Sequence, residues 1–297
     1  MLLILGGSGY VGSKYRKFLY SSGVKFASFS RKDADYTRPE VLDEIVRTHR
    51  PYFLINAAGY TGKPNVDACE SDKVATLAGN AVFPGVVREV CERHKVRWGH
   101  VSSGCIYSGR RPDGGGWRED DPPNFCFRTN NSSFYSGTKA LGEEVLAGAE
   151  SCYVWRLRIP FNNEDSPRNY ITKIMTYERV FEAENSVSHL DEFVRVTCEC
   201  FQKGVPYGIY NVTNPGSVMT SDVTRWIVEE AQRKDSINFP CSFRRSFSFF
   251  SDEDEFMRIA AKTPRSNCVL DSSKLESVGI RMTPVEEAFR KSLEAWV

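Results

Sequence analysis

The chain opens with the apolar run Leu2-Leu3-Ile4-Leu5 and passes directly into Gly6-Gly7-Ser8-Gly9-Tyr10-Val11-Gly12. A short strand, a glycine turn and a helix start, in that order, constrain the fold more than any other feature. Gly6, Gly9 and Gly12 form GxxGxxG, a spacing that lets bare backbone approach a pyrophosphate while N–H groups of the helix N-terminus bind it. Three glycines alone also suit a plain tight turn; their place between an apolar run and a helix start favours the phosphate loop, with Ser8, Tyr10 and Val11 as its further members.

The same unit then repeats. Apolar runs predict strands at Leu2 to Leu5, Lys25 to Ser30, Tyr52 to Asn56, Val96 to Ser102 and Tyr153 to Ile159. Helices are predicted to begin near Tyr10, Pro39, Asn80 and Phe134, the last two with apolar stripes Val82, Val86, Val90 and Leu141, Val145. This alternation predicts an α/β fold, a Rossmann-type doubly wound parallel sheet with a smaller C-terminal substrate-binding lobe. The first domain covers residues 1–160, with a strand and helix returning to it from about 186–212, where Gly208 to Val212 reads as a strand. The lobe takes about 161–185 and 213–297, ends in a helix from Pro284 to Trp296, and includes irregular stretches at Pro160 to Arg168 and Asn238 to Phe250. Ser108 to Ser133, rich in Gly, Pro, Arg and Asn, reads as a flap over a site.

Composition removes several classes. Lys and Arg number 39 against 38 Asp and Glu, a net charge of +1, so no nucleic-acid footprint is expected and any bound anion is held locally. The apolar run before Gly6 is too short for a signal peptide or membrane span, which points to a cytoplasmic protein with no membrane partner. Nine cysteines without a CxxC pair or zinc-like spacing predict neither disulfides nor a metal site.

At the end of the second strand an NAD site usually carries an acid for the ribose hydroxyls. Here Ser30-Arg31-Lys32 supplies a hydroxyl and two cations, which suit a 2′-phosphate and predict NADPH, although a solvated charge pair is the plain alternative. Asp35 and Tyr36 are placed to meet the adenine. Tyr135 and Lys139 form YxxxK on one face of a predicted helix. A neighbouring ammonium, with an oxidised nicotinamide, would lower the phenol's pKa from about 10 and let it exchange a proton with a carbonyl oxygen. Ser102-Ser103, at the end of the fourth strand, could share that oxygen.

Glycine loop, Ser103, Tyr135 and Lys139 in this order resemble the extended short-chain dehydrogenases over essentially the whole chain. That resemblance makes Asn56-Ala57-Ala58-Gly59 the segment lining the cofactor and Asn80 the family's structural asparagine. Six strings, NAAGYTGKPNVDACES, EDDPPNF, FYSGTKALGEE, PRNYITKI, NVTNPG and PRSNCVLD, resemble a narrower group, the plant nucleotide-rhamnose synthase/epimerase-reductases. These convert a nucleotide-linked 4-keto-6-deoxyglucose to L-rhamnose by 3,5-epimerisation and 4-reduction.

Cys105, in SSGCIY, resembles the cysteine acid/base of that group and of GDP-fucose synthase; otherwise it is an inert buried thiol. Its thiol, ordinarily near pKa 8.5, would be lowered by nearby cations. GDP-fucose synthase pairs its cysteine with a histidine, and this chain departs from that pattern: Lys173 stands where the plant enzymes have lysine. Such a lysine works as a base once desolvated, and on a helix surface it does nothing. Thr61, Asn65, Asn169, Arg265 and Asn267 are the further candidates for sugar or diphosphate contacts, with a structural salt bridge the alternative for Arg265. The resemblance implies UDP rather than dTDP, a homodimer, and a separate 4,6-dehydratase upstream. Two other readings stay open: a dTDP-4-dehydrorhamnose reductase without epimerase activity, and a non-catalytic subunit resembling the β subunit of methionine adenosyltransferase.

Overall fold

A computed structural model describes residues 1–63, 65–233 and 246–297. Of the irregular stretch Asn238 to Phe250, the part up to residue 245 lies outside the described residues. The main elements run β1 (Leu2–Leu5), α1 (Tyr10–Ser21), β2 (Phe26–Phe29), α2 (Pro39–His49), β3 (Phe53–Asn56), α3 (Phe83–Arg93), β4 (Arg97–Ser103), α4 (Phe134–Val145) and β5 (Cys152–Leu157). They continue with α5 (Tyr170–Thr176), α6 (Leu190–Lys203), β6 (Gly208–Asn211), α7 (Thr220–Arg233) and α8 (Val285–Glu294).

Six strands form one parallel sheet in the order β6-β5-β4-β3-β1-β2. Strand side chains alternate between its faces. Leu2 and Ile4 pack with Tyr15 and Leu19 of α1 and with Phe193 of α6, whereas Leu3 and Leu5 meet Leu42 of α2 and Val87 and Val90 of α3. Both faces are covered, so β1 is apolar at every position, as a doubly wound Rossmann-like sheet requires. The order reverses between β1 and β3, and the loops after those strands therefore flank a crevice at the sheet's C-terminal edge.

Two expected apolar stripes are corrected. The chain is already helical at Lys73–Leu77 and passes through a π turn, Ala78–Val82, before α3. The extra residue in that turn rotates the following face, leaving Val82 57% exposed while Phe83, Val87 and Val90 are buried. In α4 the buried face is not Leu141 and Val145 but Ser136, Gly137, Thr138, Lys139, Ala140 and Gly142, small and polar residues. Their burial holds α4 close to the π turn: a Cβ at Gly142 would lie 2.2 Å from the Asn80 carbonyl oxygen.

The expected flap is a stitched segment. Gly109 N donates to the Asn267 carbonyl at 2.7 Å and Trp117 N to that of Val269 at 2.8 Å, while the Glu119 carboxylate accepts from Asn211 N at 2.8 Å. Residues 267–271 thereby bind the loop to the edge of the main sheet.

A second apolar core gathers Phe161, Ile171, Ile174, Val223, Trp226 and Phe289, with Phe161 and Phe289 stacked at 4.0 Å between centroids. It positions α5 beside the crevice. Leu275, Ile280 and Met282 pack instead into the first core. Among the described residues, no helix is long and apolar enough to cross a membrane.

Candidate active site

The glycine loop is built for close approach. Gly6 has φ +78°, and a Cβ there would meet the Ala58 backbone at 2.7 Å; a Cβ at Gly12 would lie 2.1 Å from the Gly6 carbonyl oxygen. Gly9 caps α1 without a side-chain bond, so the first-turn N–H groups of Tyr10, Val11 and Gly12 face the crevice without intrahelical acceptors. The Tyr10 hydroxyl is buried without a partner. These residues fit the pyrophosphate of a dinucleotide, with Ser8 exposed at the loop tip.

At the end of β2, Arg31 and Lys32 are exposed. The Ser30 amide and hydroxyl both donate to Asp33 at 2.7 Å, so Ser30 shapes the turn that leaves Arg31 and Lys32 at the surface. Asp33 escaped sequence reasoning because it lies beyond the strand. Asp35 accepts from Thr37 at the surface. Tyr36 is corrected: it is 2% exposed and lies against Phe83 at 5.5 Å in the core with Leu3 and Leu5, because its ring is the apolar filling under the β2 loop rather than an open adenine platform.

Asn56 bonds His100 Nδ1 at 3.1 Å and accepts from Ala58 N at 3.1 Å, fixing the Ala57-Ala58-Gly59 backbone beside the glycine loop. Asn80 is fully engaged within the chain. It accepts from Tyr60 N and donates to Tyr60 O, both at 2.8 Å, and to Thr138 Oγ1 at 3.2 Å. It ties the β3 loop to α4 and is a positioning residue, not a cofactor contact.

Ser103 ends β4, and its hydroxyl accepts from Cys105 N at 3.3 Å. Cys105 lies in the following 3-10 turn, 5% exposed. Ser133 caps α4, which brings Tyr135 to Ser103 and Ser136 to the Cys105 thiol. One turn on, the buried Lys139 ammonium donates to the Val101 carbonyl at 3.2 Å.

The electrostatics correct two expectations. Burial pushes the Tyr135 phenol well above its ordinary range, outweighing the Ser103 hydrogen bond and the Arg158 charge that act to lower it. Burial likewise raises the Cys105 thiol, outweighing hydrogen bonds from Ser103 and Ser136 and the charges of Arg158 and Lys139. Lys139 itself is pulled down by burial. Lys173, on α5, is also lowered, first by burial and then by Arg168 and Arg265. Burial thus favours the protonated form of Tyr135 and Cys105 and the neutral form of Lys173.

The substrate candidates divide. Arg168 donates to Thr61 Oγ1 at 2.6 Å and to the Gly62 carbonyl, joining the α5 loop to the β3 loop. Arg265 grips Asp67 through both nitrogens at 2.6 and 2.7 Å, the salt-bridge reading; with Asn267 it lines a cleft of about 330 Å³ beside Phe181 and Glu182. Asn267 accepts from Asn185 at 3.1 Å, and Asn65 accepts from Asp67 N in a turn. Asn169 is corrected: it is fully buried, caps α5 through Ile171 N and donates to the carbonyls of Asn162 and Glu164, leaving its amide no capacity for substrate. Sequence reasoning missed Arg158, Arg168 and Ser136. The last two sit inside the strings PRNYITKI and FYSGTKALGEE, where their neighbours drew the attention.

The chain belongs to the RmlD substrate binding domain family, whose model matches residues 1–297. It is 33% identical over 97% of its length to a bifunctional dTDP-4-dehydrorhamnose 3,5-epimerase/reductase of Arabidopsis thaliana, covering 91% of that protein. A trifunctional UDP-glucose 4,6-dehydratase/epimerase/reductase from the same plant is 32% identical over the same share of this chain, which spans 41% of that longer protein. Among solved structures, the UDP-rhamnose synthase of Acanthamoeba polyphaga mimivirus superposes with TM-score 0.87 at 23% identity, covering 99% of this chain and 98% of that one. The NADP complex of dTDP-4-dehydrorhamnose reductase from Bacillus anthracis gives 0.79 at 18%, covering 99% and 97%.

Proposed function

We propose that the chain is an NADPH-dependent reductase of a nucleotide-linked 4-keto-6-deoxy sugar that first epimerises C3 and C5, converting UDP-4-keto-6-deoxy-D-glucose to UDP-L-rhamnose. The observation that carries this reading is Cys105, buried in the turn directly after Ser103, with its thiol against Ser136 of the helix that carries Tyr135 and Lys139. A plain reductase has no use for an acid there. The plant relative's two activities on one chain support the same reading.

The C4 ketone acidifies the protons on C3 and C5, so one site serves both steps. Lys173, whose burial favours the neutral amine, takes a proton from carbon. The electron pair moves onto O4, where Tyr135 and Ser103 donate to the enolate oxygen. Cys105 returns a proton from the opposite face and inverts the centre. When bound, NADPH would supply the hydride for C4. Tyr135, kept protonated by burial, then gives its proton to the alkoxide, and Lys139 fixes the end of β4 through Val101. Gly6, Gly9, Gly12, Arg31 and Lys32 would hold the dinucleotide, and Arg168 and Arg265 the diphosphate of the sugar nucleotide, with its base end in the cleft by Asn267.

The test follows NADPH absorbance with each sugar. UDP-4-keto-6-deoxyglucose alone should drive oxidation to UDP-L-rhamnose. Oxidation only after another enzyme has epimerised the sugar would leave a 4-reductase, and none with either nucleotide would reject the enzyme reading.

A further inference from the structure

Arg156 and Arg158 lie two positions apart at the end of β5, and both side chains are more than nine-tenths buried. Their surroundings differ in one respect. Arg156 is neutralised by Glu143, which takes hydrogen bonds from Nε and Nη2 at distances down to 2.8 Å. Arg158 has no carboxylate partner among the described residues. Its Nη2 donates to two neutral acceptors, Asn185 Oδ1 and the Ser266 carbonyl, and its Nε is buried with no partner at all.

A buried charge without a counter-ion is costly, and it persists where an anion arises nearby. The geometry says where. A Cβ on Gly104 would lie 3.6 Å from Arg158 Cδ, so the unpartnered Nε, bonded to that carbon, sits against the turn that carries Cys105. Ser103 and Ser136 reach the thiol by hydrogen bonds, and the groups whose charge acts on it or that feel its charge are Arg158, Lys139 and Tyr135. Of the two cations, Lys139 is directed to the Val101 carbonyl, which leaves Arg158 with the free donor.

We propose that Arg158 is the built-in counter-cation of Cys105, a positioning residue that stabilises the thiolate left when Cys105 gives its proton to the sugar carbon. This rests on the epimerase reading above. In that step the S–H bond breaks and a C–H bond forms, the enolate electron pair returns to carbon as the ketone is restored, and the negative charge passes from O4 to sulfur beside the guanidinium. Lys173, protonated at the start of the step, then releases its proton to solvent and the thiolate recovers one.

The test is an ultraviolet thiolate titration of the folded protein, read as the difference from the same background carrying Cys105→Ser. In Arg158→Met the Cys105 midpoint should rise by about one pH unit or more, the size an opposite charge at close range imposes, and Arg158→Lys should recover most of it. Asn185→Asp keeps the guanidinium but supplies a carboxylate to its Nη2, and should raise the midpoint in the same direction even if Arg158→Met does not fold. Deuterium wash-in at the sugar carbons should fall about tenfold or more in both variants, with a smaller loss in reduction of pre-epimerised sugar. An unmoved Cys105 midpoint in Asn185→Asp would overturn the proposal. Absent wash-in in the unaltered protein would reject the epimerase reading, while the titration would still judge the Arg158–Cys105 pair.

Discussion

Cys105→Ala separates the two activities. The side chain is 5% exposed and makes its contacts with Ser103 and Ser136, so replacing it removes one sulfur and leaves the turn's backbone in place. Loss of a positioned general acid costs about 10²- to 10⁴-fold. At about 1.4 kcal/mol per decade, that raises the epimerisation barrier by roughly 2.7–5.5 kcal/mol. Reduction draws its proton from Tyr135, so turnover of pre-epimerised UDP-4-keto-rhamnose should fall by less than about tenfold. The assay measures deuterium incorporation and NADPH consumption on the same samples, with thermal melting as a control for the small cavity. Equal losses in both activities, at an unchanged melting temperature, would refute a dedicated role for the thiol.

Other consequences follow from the same geometry. The Lys173 ammonium is destabilised by burial and two arginines, so epimerisation should climb with pH along a limb centred below the ordinary lysine value of 10.5, and Lys173→Met should abolish that limb. Because its folded pKa is depressed, Lys173 binds fewer protons folded than unfolded. Its stability penalty is absent above 10.5, appears as pH falls through the interval between the two values, and is full below the folded one; Lys173→Met should therefore melt higher at neutral pH. Arg31→Ala should weaken NADPH about tenfold relative to NADH, the worth of one charge-assisted hydrogen bond of about 1.5 kcal/mol, and equal binding of both cofactors before and after would reject a 2′-phosphate site. Asn169→Ala should cost about 1 kcal/mol or more through lost capping in a chemical denaturation, with KM for the sugar changed only as far as α5 moves.

The glycine loop and the YxxxK pair were legible because each needs fixed residue types at fixed spacing. Every strand of the main sheet was found within a residue or two, since strands covered on both faces read as continuous apolar runs. The helix faces were not. The π turn at Ala78–Val82 breaks the 3.6-residue period just where Asn80 must reach Tyr60 and Thr138, and α4 buries its polar face because that face carries Lys139. Asn169 looked like a ligand for the reason that makes it a cap: a short amide that satisfies several backbone groups can equally hold a sugar, and only the fold decides. Arg158 gave no local signal at all, since its role depends on Gly104, Asn185 and Ser266, which are distant in sequence.

The most direct test of the account is NMR of UDP-4-keto-6-deoxyglucose incubated with the protein and NADPH in D₂O. The account predicts UDP-L-rhamnose carrying deuterium at both C3 and C5. A reduced 6-deoxy sugar of unchanged configuration with protium at those carbons would contradict it.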